Sequence, residues 1–320
     1  MRFFLLGVHD QNAGPSNVNK SLIRYSGKEM MYIHFKNKYI RNLEIVCKIL
    51  FAKKILISGV CAPRFYKIIR MLKKRYSYLM HGCIEYENRI NKLNVAPEML
   101  LTEEKILKNA DYIICVSEDY ASWVKKRYPT YKDKITFVNN GINLMQRPKI
   151  RKNPYTVAVS GGNRCIKNNI EVYRAVEALN KEGIPCKLFV FGRNYSDNDK
   201  IPETEYITYC GQLEKEEYYN KLDRISCFIL NSEVESFGLV VADALNCNCS
   251  LLISKNVGSK CIMHPIEHDI IQDPHNINEL IQKIKRVFIN PNASRLFDSI
   301  NLKECSEERA YKKMKNIIEE

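Results

Sequence analysis

Short apolar runs of strand composition alternate with helical patterns along the whole of this 320-residue sequence. Strand-like runs lie near residues 2–8, 30–35, 55–58, 77–80, 111–116, 134–138, 155–160, 187–192, 206–209, 227–230, 250–253 and 269–272. Helical periodicity occupies much of the chain between them, at 63–74, 97–108, 118–128, 168–181, 214–223, 238–246 and 276–288. Because this rhythm is typical of parallel sheets covered by helices on both faces, the sequence predicts an α/β protein.

A polar segment that carries two prolines, residues 143–154, separates two halves of similar length. A chain of 320 residues is expected to form two domains of ordinary size, each with its own core. We therefore predict one domain over residues 1–147 and a second over 148–303. Residues 304–320 are predicted to form a final charged helix, with Met314 and Ile318 in its apolar stripe.

The positive charge of the chain is confined to its first half. The formal net charge is +14, and residues 1–147 hold 26 Lys and Arg against 12 Asp and Glu, which is 26 − 12 = +14. Residues 148–320 hold 24 of each. This asymmetry predicts an anionic partner for the first half: a membrane surface, a phospholipid-like acceptor or nucleic acid. Nucleic acid is the least favoured, since no basic motif interleaved with aromatic residues is present.

The predicted helix at residues 63–74 carries much of that charge. Arg64, Lys67, Arg70 and Lys74 form a cationic row at helical spacing, beside an apolar side that includes Phe65, Ile68, Ile69 and Leu72. A helix of this kind can lie in a membrane interface. The alternative is that the apolar side faces the domain's own sheet, as in most surface helices.

Composition places the protein in the cytoplasm. The opening apolar run ends at His9-Asp10 without a small-residue cleavage site, so a first core strand is expected instead of a signal peptide. No run approaches the roughly 20 apolar residues of a membrane span. The twelve cysteines lack CxxC spacing, which favours reduced thiols over disulfides or zinc.

An acidic pair in the second half points to a ligand. Glu235 follows the predicted strand at 227–230, and Asp243 lies about two turns inside the helix predicted at 238–246. Between them, Phe237, Gly238 and Leu239 present backbone N–H groups at the helix start, where anions are attracted. An anion site between two carboxylates suits a ligand with phosphates in the middle and hydroxyl groups at both ends, such as a nucleotide sugar.

A basic, glycine-containing turn follows the first strand of the second half. Gly161 and Gly162 permit close backbone approach, and Arg164 and Lys167 precede a predicted helix that starts near Asn168. Cations at a helix N-terminus oppose the helix dipole, so an anionic ligand is expected to neutralise them. A solvated basic turn is the alternative. The turn is neither a P-loop nor GxGxxG, which argues against ATP or NAD.

Three weaker signals lie in the first half. Gly14, Pro15 and Ser16 follow the first strand as a tight turn and a helix start. His81 and Gly82 end another predicted strand, at the sheet edge where doubly wound folds bind ligands. For both, a purely structural explanation remains open. The segment that contains Asn140 closes the first half.

Together these segments resemble the family-4 (group 1) glycosyltransferases of the GT-B fold, over nearly the whole chain. In order, the matching positions are Gly14-Pro-Ser16, His81-Gly82, residues 110–118, Asn140-Gly-Ile-Asn143, Arg164 with Lys167, Cys210-Gly211-Gln212, and Glu235 with Asp243. The last is the most specific, because the family's two acids are separated by seven residues in the same strand–helix setting. The resemblance implies two Rossmann-like, doubly wound domains that face each other across a cleft, with the last helix crossing back to the first domain.

The resemblance also implies the activity and the role of each residue. The enzyme would transfer a sugar from a UDP- or GDP-sugar with retention of configuration and without a metal ion or other cofactor. Arg164 and Lys167 would neutralise the leaving diphosphate, Glu235 would hold the sugar hydroxyls, and Asp243 would bind the ribose. His81 would touch the sugar from the first domain. The remaining implied contacts are Gly14, Pro15, Ser16, Gly82, Asn140, Gly161, Gly162, Gly211, Phe237, Gly238 and Leu239.

Three positions depart from the family pattern. Asp243 replaces a glutamate, Asn143 replaces an aspartate, and residues 246–250 replace a segment of small residues and proline. We expect a transferase that acts on a lipid-linked or growing saccharide in bacterial surface polysaccharide synthesis (capsule, O-antigen or lipopolysaccharide), peripherally bound to the inner face of an anionic membrane. The alternatives are a GT-B nucleotide-sugar epimerase and a non-catalytic subunit of a glycosyltransferase complex.

Overall fold

The computed structural model describes residues 3–11, 13–193 and 201–320, which form two compact units. The first unit comprises Met1–Ile142 together with Lys303–Glu320, and the second comprises Asn143–Leu302. Each unit contains a six-stranded sheet in which every strand pair is parallel. The predicted α/β class is confirmed.

The sheet of the first unit is buried along its central strands. In chain order its strands are β1 (Phe3–Leu6), β2 (Met30–Met31), β3 (Lys54–Ser58), β4 (Arg75–Met80), β5 (Ile113–Cys115) and β6 (Ile135–Phe137). In space they run 2-1-3-4-5-6. Every residue of β1 and β3 is buried, as expected of parallel strands covered on both faces.

Helices follow most strands of this unit. They are α1 (Gly14–Ser26), α2 (Lys38–Phe51), α3 (Pro63–Met71), α4 (Ile84–Ile90), α5 (Pro97–Asn109) and α6 (Glu118–Arg127). Proline occupies the first turn of α1, α3 and α5, where its missing N–H has no helical partner to lose. The sequence did not predict α2, although Asn37 caps it by accepting from the N–H groups of Tyr39 and Ile40.

The second unit repeats the plan with a different strand order. Its strands are β7 (Asn153–Ser160), β8 (Lys187–Phe191), β9 (Ile207–Gly211), β10 (Ile225–Leu230), β11 (Ser250–Ser254) and β12 (Ile270–Ile271), ordered 12-11-10-7-8-9 in space. Its helices are α7 (Asn169–Lys181), α8 (Lys215–Leu222), α9 (Val240–Asn246), α10 (Ile277–Ile289) and α11 (Ala293–Asp298).

The chain reverses its direction of travel at one point in each sheet. In the first unit β1 lies between β2 and β3, and in the second β7 lies between β8 and β10. Loops that leave such neighbouring strands turn to opposite sides, which opens a crevice at the carboxyl edge of the sheet. The crevice of the second unit therefore lies where the chain leaves β7 and β10.

The final helix, α12 (Glu307–Glu319), belongs to the first unit and packs against α1. Lys315 and Tyr311 both bond to the carboxylate of Glu29, at 2.7 and 3.1 Å. The chain reaches this position beside Ile142, whose N–H donates to the carbonyl of Cys305 at 2.8 Å. The sequence-based expectation that the last helix returns to the N-terminal domain is confirmed.

The apolar side of α3 faces its own unit. Phe65, Tyr66 and Ile69 are buried, while Arg64 and Lys67 are exposed. The alternative, an apolar stripe that faces the unit itself, therefore holds for Phe65 and Ile69, whereas Leu72 after the last turn is exposed. Contact of the cationic row with a membrane stays a prediction. Among the described residues, no helix combines the length and the apolar character needed to cross a bilayer.

Candidate functional site

Lys167 and Glu235 meet at the crevice of the second unit. Lys167 lies in the turn after β7 and Glu235 in the loop after the adjacent strand β10. The Nζ of Lys167 forms an ion pair with Oε2 of Glu235, and the hydroxyl of Ser232 donates to the same oxygen at 3.3 Å. The two side chains are only 11% and 13% exposed, so the pair is largely withdrawn from water.

Glycines make room for the cations. Gly161 has φ +94° and Gly162 has φ +61°, conformations that side chains rarely allow. A Cβ on Gly161 would lie 2.9 Å from Cγ of Lys167 and 3.1 Å from Nη2 of Arg164. The Nε of Arg164 donates to the carbonyl of Gly161 at 3.4 Å. The predicted glycine turn thus holds Arg164 and Lys167 against the same backbone.

Asparagines join the two crevice loops. Asn168, with φ 49°, ends the basic turn and donates through Nδ2 to the carbonyl of Asn231 at 3.3 Å. Asn169 opens α7 and donates to the carbonyls of Ser160 and Gly162 at 3.1 and 2.7 Å. Both asparagines are buried, so their hydrogen bonds hold the turn in one conformation and are not exchanged with water.

The loop of Glu235 is held by its neighbour after β11. The N–H of Glu235 donates to the carbonyl of Asn256 at 3.2 Å, and Gly258 donates back to the carbonyl of Glu235 at 3.0 Å. Gly238 has φ +93°, and a Cβ there would lie 3.2 Å from Cγ of Glu235. Phe237 is buried and accepts a backbone bond of 2.7 Å from Ser259. These contacts fix the backbone that carries the Glu235 side chain.

The second acid lies elsewhere in its helix than the sequence suggested. Helix α9 begins at Val240 with Leu239 as its N-cap, so Asp243 is in the first turn and not two turns inside. One glycine delays the start of the helix, because Gly238 has φ +93°, a value that a helix excludes. The prediction of a helix over 238–246 was therefore wrong at its start.

Asp243 is engaged by a tyrosine. The hydroxyl of Tyr219, in α8, donates to Oδ1 of Asp243 at 2.7 Å. Burial raises the pKa of the Asp243 carboxyl above its ordinary value, while the Tyr219 bond and the charge of Lys215 act in the opposite direction. The carboxylate has accepting capacity beyond this one bond, so it can take further donors.

Gly211 lies at the end of β9, two strands from β7 in the sheet. Its φ is +65°, and the space where a Cβ would stand is open. Its carbonyl accepts from the N–H of Gly192 at 2.8 Å. Gly192 in turn packs against Gly161 and Gly162, because a Cβ on it would lie 3.0 Å from the nitrogen of Gly162. The carboxyl edge of β7, β8 and β9 is therefore lined by backbone.

In the first unit, a chain of hydrogen bonds fixes His81 at the carboxyl end of β4. Asn19 donates to the carbonyl of Val8 at 2.8 Å, which turns its Oδ1 towards Ser58. The hydroxyl of Ser58 donates to that oxygen at 2.7 Å, so it accepts from Nε2 of His81 at 2.8 Å. This assignment leaves Nδ1 as an acceptor. Burial lowers the pKa of His81 to about 4, so the ring is neutral at pH 7.

The other predicted residues of the first unit lie near strand ends. Gly14 and Pro15 open α1, and a Cβ on Gly14 would meet nothing within 4 Å. Ser16 is buried and accepts from the N–H of Gln11 at 3.0 Å. Gly82 gives space to the carboxylate of Glu87, with which a Cβ would collide. Asn140 is buried just after β6, and its N–H donates to the carbonyl of Val116.

The structure brings some of the predicted residues into contact and leaves others with different partners. Gly161, Gly162, Arg164, Lys167, Glu235 and Gly238 are brought together in the second unit, while His81 is part of a polar chain in the first. Sequence reasoning missed Tyr219, Ser58 and Asn19, whose positions carry no recognisable motif. Within the described residues, no group of three or more His, Cys, Asp or Glu is arranged to hold a metal ion.

Two family comparisons match this arrangement. Residues 142–303 match the sequence model described as glycosyl transferases group 1, which covers the second unit and half of the chain. Residues 58–146 match the one described as glycosyltransferase family 4. A search of the curated proteins found no match.

Solved structures with the same fold extend over the whole chain. HepE of Anabaena, crystallised with UDP-glucose, has a TM-score of 0.74 and 10% identity over 100% of this chain and 99% of its own. Sucrose-phosphate synthase of Thermosynechococcus elongatus gives 0.70 and 14%, over 99% and 98%. The lipopolysaccharide outer core galactosyltransferase WaaB gives 0.65 and 13%, over 99% of each chain. The fold, two parallel-sheet α/β domains with a returning helix, is GT-B.

Proposed function

Because the chain belongs to the group 1 glycosyl transferases, we propose that it transfers a sugar from a UDP- or GDP-sugar to a saccharide acceptor, with retention of configuration. The observation that carries the proposal is the ion pair of Lys167 and Glu235 at the crevice between β7 and β10. The pair lies where sheets of this kind bind ligands. Its carboxylate can accept from the hydroxyls of a sugar, and its ammonium can pair with phosphates.

Donor binding would exchange partners within this pair. The donor diphosphate would form ion pairs with Lys167 and the neighbouring Arg164. The carboxylate of Glu235, released from Lys167, would then accept from the sugar hydroxyls. The resident ion pair keeps both groups satisfied until then, since a lone buried charge is costly. Binding thus replaces one charge pair with two charge-assisted contacts.

The cations assist the bond-breaking step. The bond between the sugar C1 and the β-phosphate oxygen breaks, and the acceptor oxygen bonds to C1 on the face that the leaving group vacates. The products are the glycoside, the nucleoside diphosphate and the proton of the acceptor hydroxyl. Lys167 and Arg164 stabilise the charge that develops on the diphosphate, so that no metal ion or cofactor is required; removing one such contact costs about 2.7–4 kcal/mol in comparable sites.

The remaining polar groups would complete the donor site. Asp243 would accept hydrogen bonds from the ribose hydroxyls, because the bond from Tyr219 occupies only one acceptor site of its carboxylate. In the first unit, the neutral ring of His81 keeps Nδ1 as an acceptor for a hydroxyl group, because Nε2 donates to Ser58. The backbone of Gly161 and Gly211 allows close approach of the ligand. The UDP and UDP-glucose in structures of HepE support a nucleotide-sugar donor here.

The acceptor would be borne by a membrane. The basic first half favours a lipid-diphosphate-linked or growing saccharide at the inner face of the cytoplasmic membrane. We assign the protein to bacterial surface polysaccharide synthesis (capsule, O-antigen or lipopolysaccharide), and the likeness to WaaB supports this class of pathway.

A donor screen tests the proposal. UDP-glucose, UDP-N-acetylglucosamine, UDP-galactose and GDP-mannose are each added to the protein in a thermal-shift measurement, followed by product analysis without acceptor. We expect one donor to raise the melting temperature and to remain unepimerised. Conversion to an epimer would assign the chain to the epimerases instead. The absence of any shift would favour a non-catalytic subunit and contradict the proposal.

A further inference from the structure

Helix α2 exposes an apolar face to solvent. Tyr39, Leu43 and Leu50 share one side of the helix, and Ile40 and Phe51 lie on the adjacent side. Tyr39 and Phe51 are each 81% exposed and Leu43 is 65% exposed. The other side packs on the unit through Ile45 and Ile49, which are buried. The helix is therefore apolar towards the core and towards water, whereas a surface helix is ordinarily polar on its outer side.

Cations surround this face. Residues 36–75 contain twelve Lys and Arg but a single acid, Glu44. That acid is turned inwards, since its side chain is 8% exposed and pairs with Lys48 and His34. The local charge of this segment is therefore strongly positive.

Helix α3 continues the same surface. Arg64 donates to the side chain of Asn42 at 3.1 Å, and Lys74 donates to the carbonyl of Leu50 at 2.7 Å. These bonds align α3 beside α2, with the exposed Met71 and Leu72 at its end. The outer row of Lys67 and Arg70 is exposed as well. We call the exposed apolar residues of α2, with Met71, Leu72 and these cations, the α2 surface.

We propose that the α2 surface docks into the interface of an anionic phospholipid bilayer. Large apolar side chains enter the boundary between headgroups and acyl chains, while the flanking cations meet anionic headgroups. A second copy of this chain is a poor occupant, because it would bring the same positive charge to the contact. Nucleic acid would satisfy the cations but not the aliphatic side chains.

This inference extends the proposed function, because membrane docking has a role here only if the protein transfers sugars to a lipid-linked acceptor. Helix α2 begins after β2, so its first turn lies at the carboxyl edge of the sheet, where β1 and β4 also end near Gly14 and His81. A bilayer bound at Tyr39 and Ile40 would therefore present lipid-linked saccharides at that edge of the unit.

Vesicle sedimentation of the full chain tests the inference. The probes are vesicles of phosphatidylcholine alone and of phosphatidylcholine and phosphatidylglycerol in equal parts. We expect binding only to the anionic vesicles, weakening as salt is added. Leu43→Gln and Phe51→Gln should each lower the partition coefficient about tenfold, and Lys67→Gln about fivefold.

Matched variants separate the α2 surface from general effects. Ile289 is 77% exposed at the end of α10 in the second unit, so Ile289→Gln should leave vesicle binding unchanged. Lys181, 73% exposed on α7, serves the same purpose through Lys181→Gln. Calorimetry with UDP and GDP on every variant shows whether the second unit is intact.

Each outcome decides one of the two proposals. Nucleotide binding without vesicle binding, or vesicle binding that Leu43→Gln and Phe51→Gln leave unchanged, would overturn the docking inference alone. Vesicle binding through α2 without any nucleotide binding would leave the docking inference standing and contradict the proposed function. A dimer in sedimentation velocity that Leu43→Gln dissociates would show that a second copy covers the surface, which also overturns the docking inference.

Discussion

The hydroxyl of Tyr219 donates a 2.7 Å hydrogen bond to the carboxylate of Asp243, so the second acid of the pair is already positioned by another helix. Asp243 is one methylene shorter than the glutamate that the family pattern has there. The bond from α8 gives this shorter side chain a fixed direction, and burial raises its pKa. A ligand that needs an ionised acceptor would therefore depend on Tyr219.

Tyr219→Phe should weaken UDP binding about tenfold, the effect of losing one hydrogen bond to a charged group. Without that bond the pKa of Asp243 rises further, so the loss should be larger at pH 6 than at pH 8. Calorimetry with UDP at both pH values measures it. Tyr218→Phe is the control, since the Tyr218 hydroxyl is buried without a partner among the described residues. Equal UDP affinities for wild type and Tyr219→Phe would contradict the assignment of Asp243 to the ribose.

Lys167→Ala should reduce sugar transfer by a factor of about 100–1,000, because it removes a cation from the developing diphosphate charge. Transfer from the donor identified by thermal shift is followed at saturating donor, with circular dichroism to verify folding. Lys181→Ala, on the exposed side of α7, should retain full activity. Wild-type turnover by folded Lys167→Ala protein would refute the assignment.

Glu235→Gln should impair transfer far more than it impairs binding of UDP. The amide keeps the size of the side chain but loses the charge that orients the sugar, whereas UDP lacks the sugar altogether. The change also leaves Lys167 without its ion-pair partner, so UDP affinity should stay level or rise. Kinetics and UDP calorimetry on one preparation decide this. Equal losses of sugar transfer and of UDP binding would indicate that Glu235 binds the nucleotide instead of the sugar.

Gly161→Ala should destabilise the second unit and displace its cations. The residue has φ +94°, and a Cβ would crowd Lys167 at 2.9 Å. Gly183→Ala is a matched control, because Gly183 has φ +84° with nothing within 4 Å of the Cβ position. Backbone strain of about 1–3 kcal/mol is common to both. In urea unfolding Gly161→Ala should therefore lose more stability than Gly183→Ala, and it alone should lose transfer activity.

The pKa of His81 predicts a pH dependence of stability. The folded value is about 4, below the ordinary 6.5, because the ring is buried. The unfolded chain therefore takes up this proton first, and the contribution of His81 to the free energy of unfolding falls as pH drops from 6.5 to 4. In His81→Gln, whose amide can still donate to Ser58, this contribution is absent. Urea unfolding across that range should show the wild type losing stability relative to His81→Gln; parallel curves would contradict a neutral, buried ring.

Sequence patterns predicted the fold well because burial on both faces leaves a local signal. Each strand near β7 or β10 is a short apolar run, and each following helix repeats at its own period. The pattern failed where local and tertiary preferences differ. Helix α2 was not recognised, since exposed residues such as Leu43 and Phe51 add apolar positions outside the buried stripe of Ile45 and Ile49. Helix α9 starts late because Gly238 adopts a backbone conformation that no periodicity reveals.

The sequence alone determined two α/β domains, the concentration of positive charge in the first, and the identity of the cations and acids that the family pattern marks. These are properties of composition and of neighbouring residues. Only the tertiary structure decided that Lys167 pairs with Glu235, that Tyr219 holds Asp243, and that Ser58 and Asn19 set the proton of His81. Such pairs join residues far apart in the chain, and parallel strand order places them together. No local sequence pattern encodes a contact between residues that are so far apart in the chain.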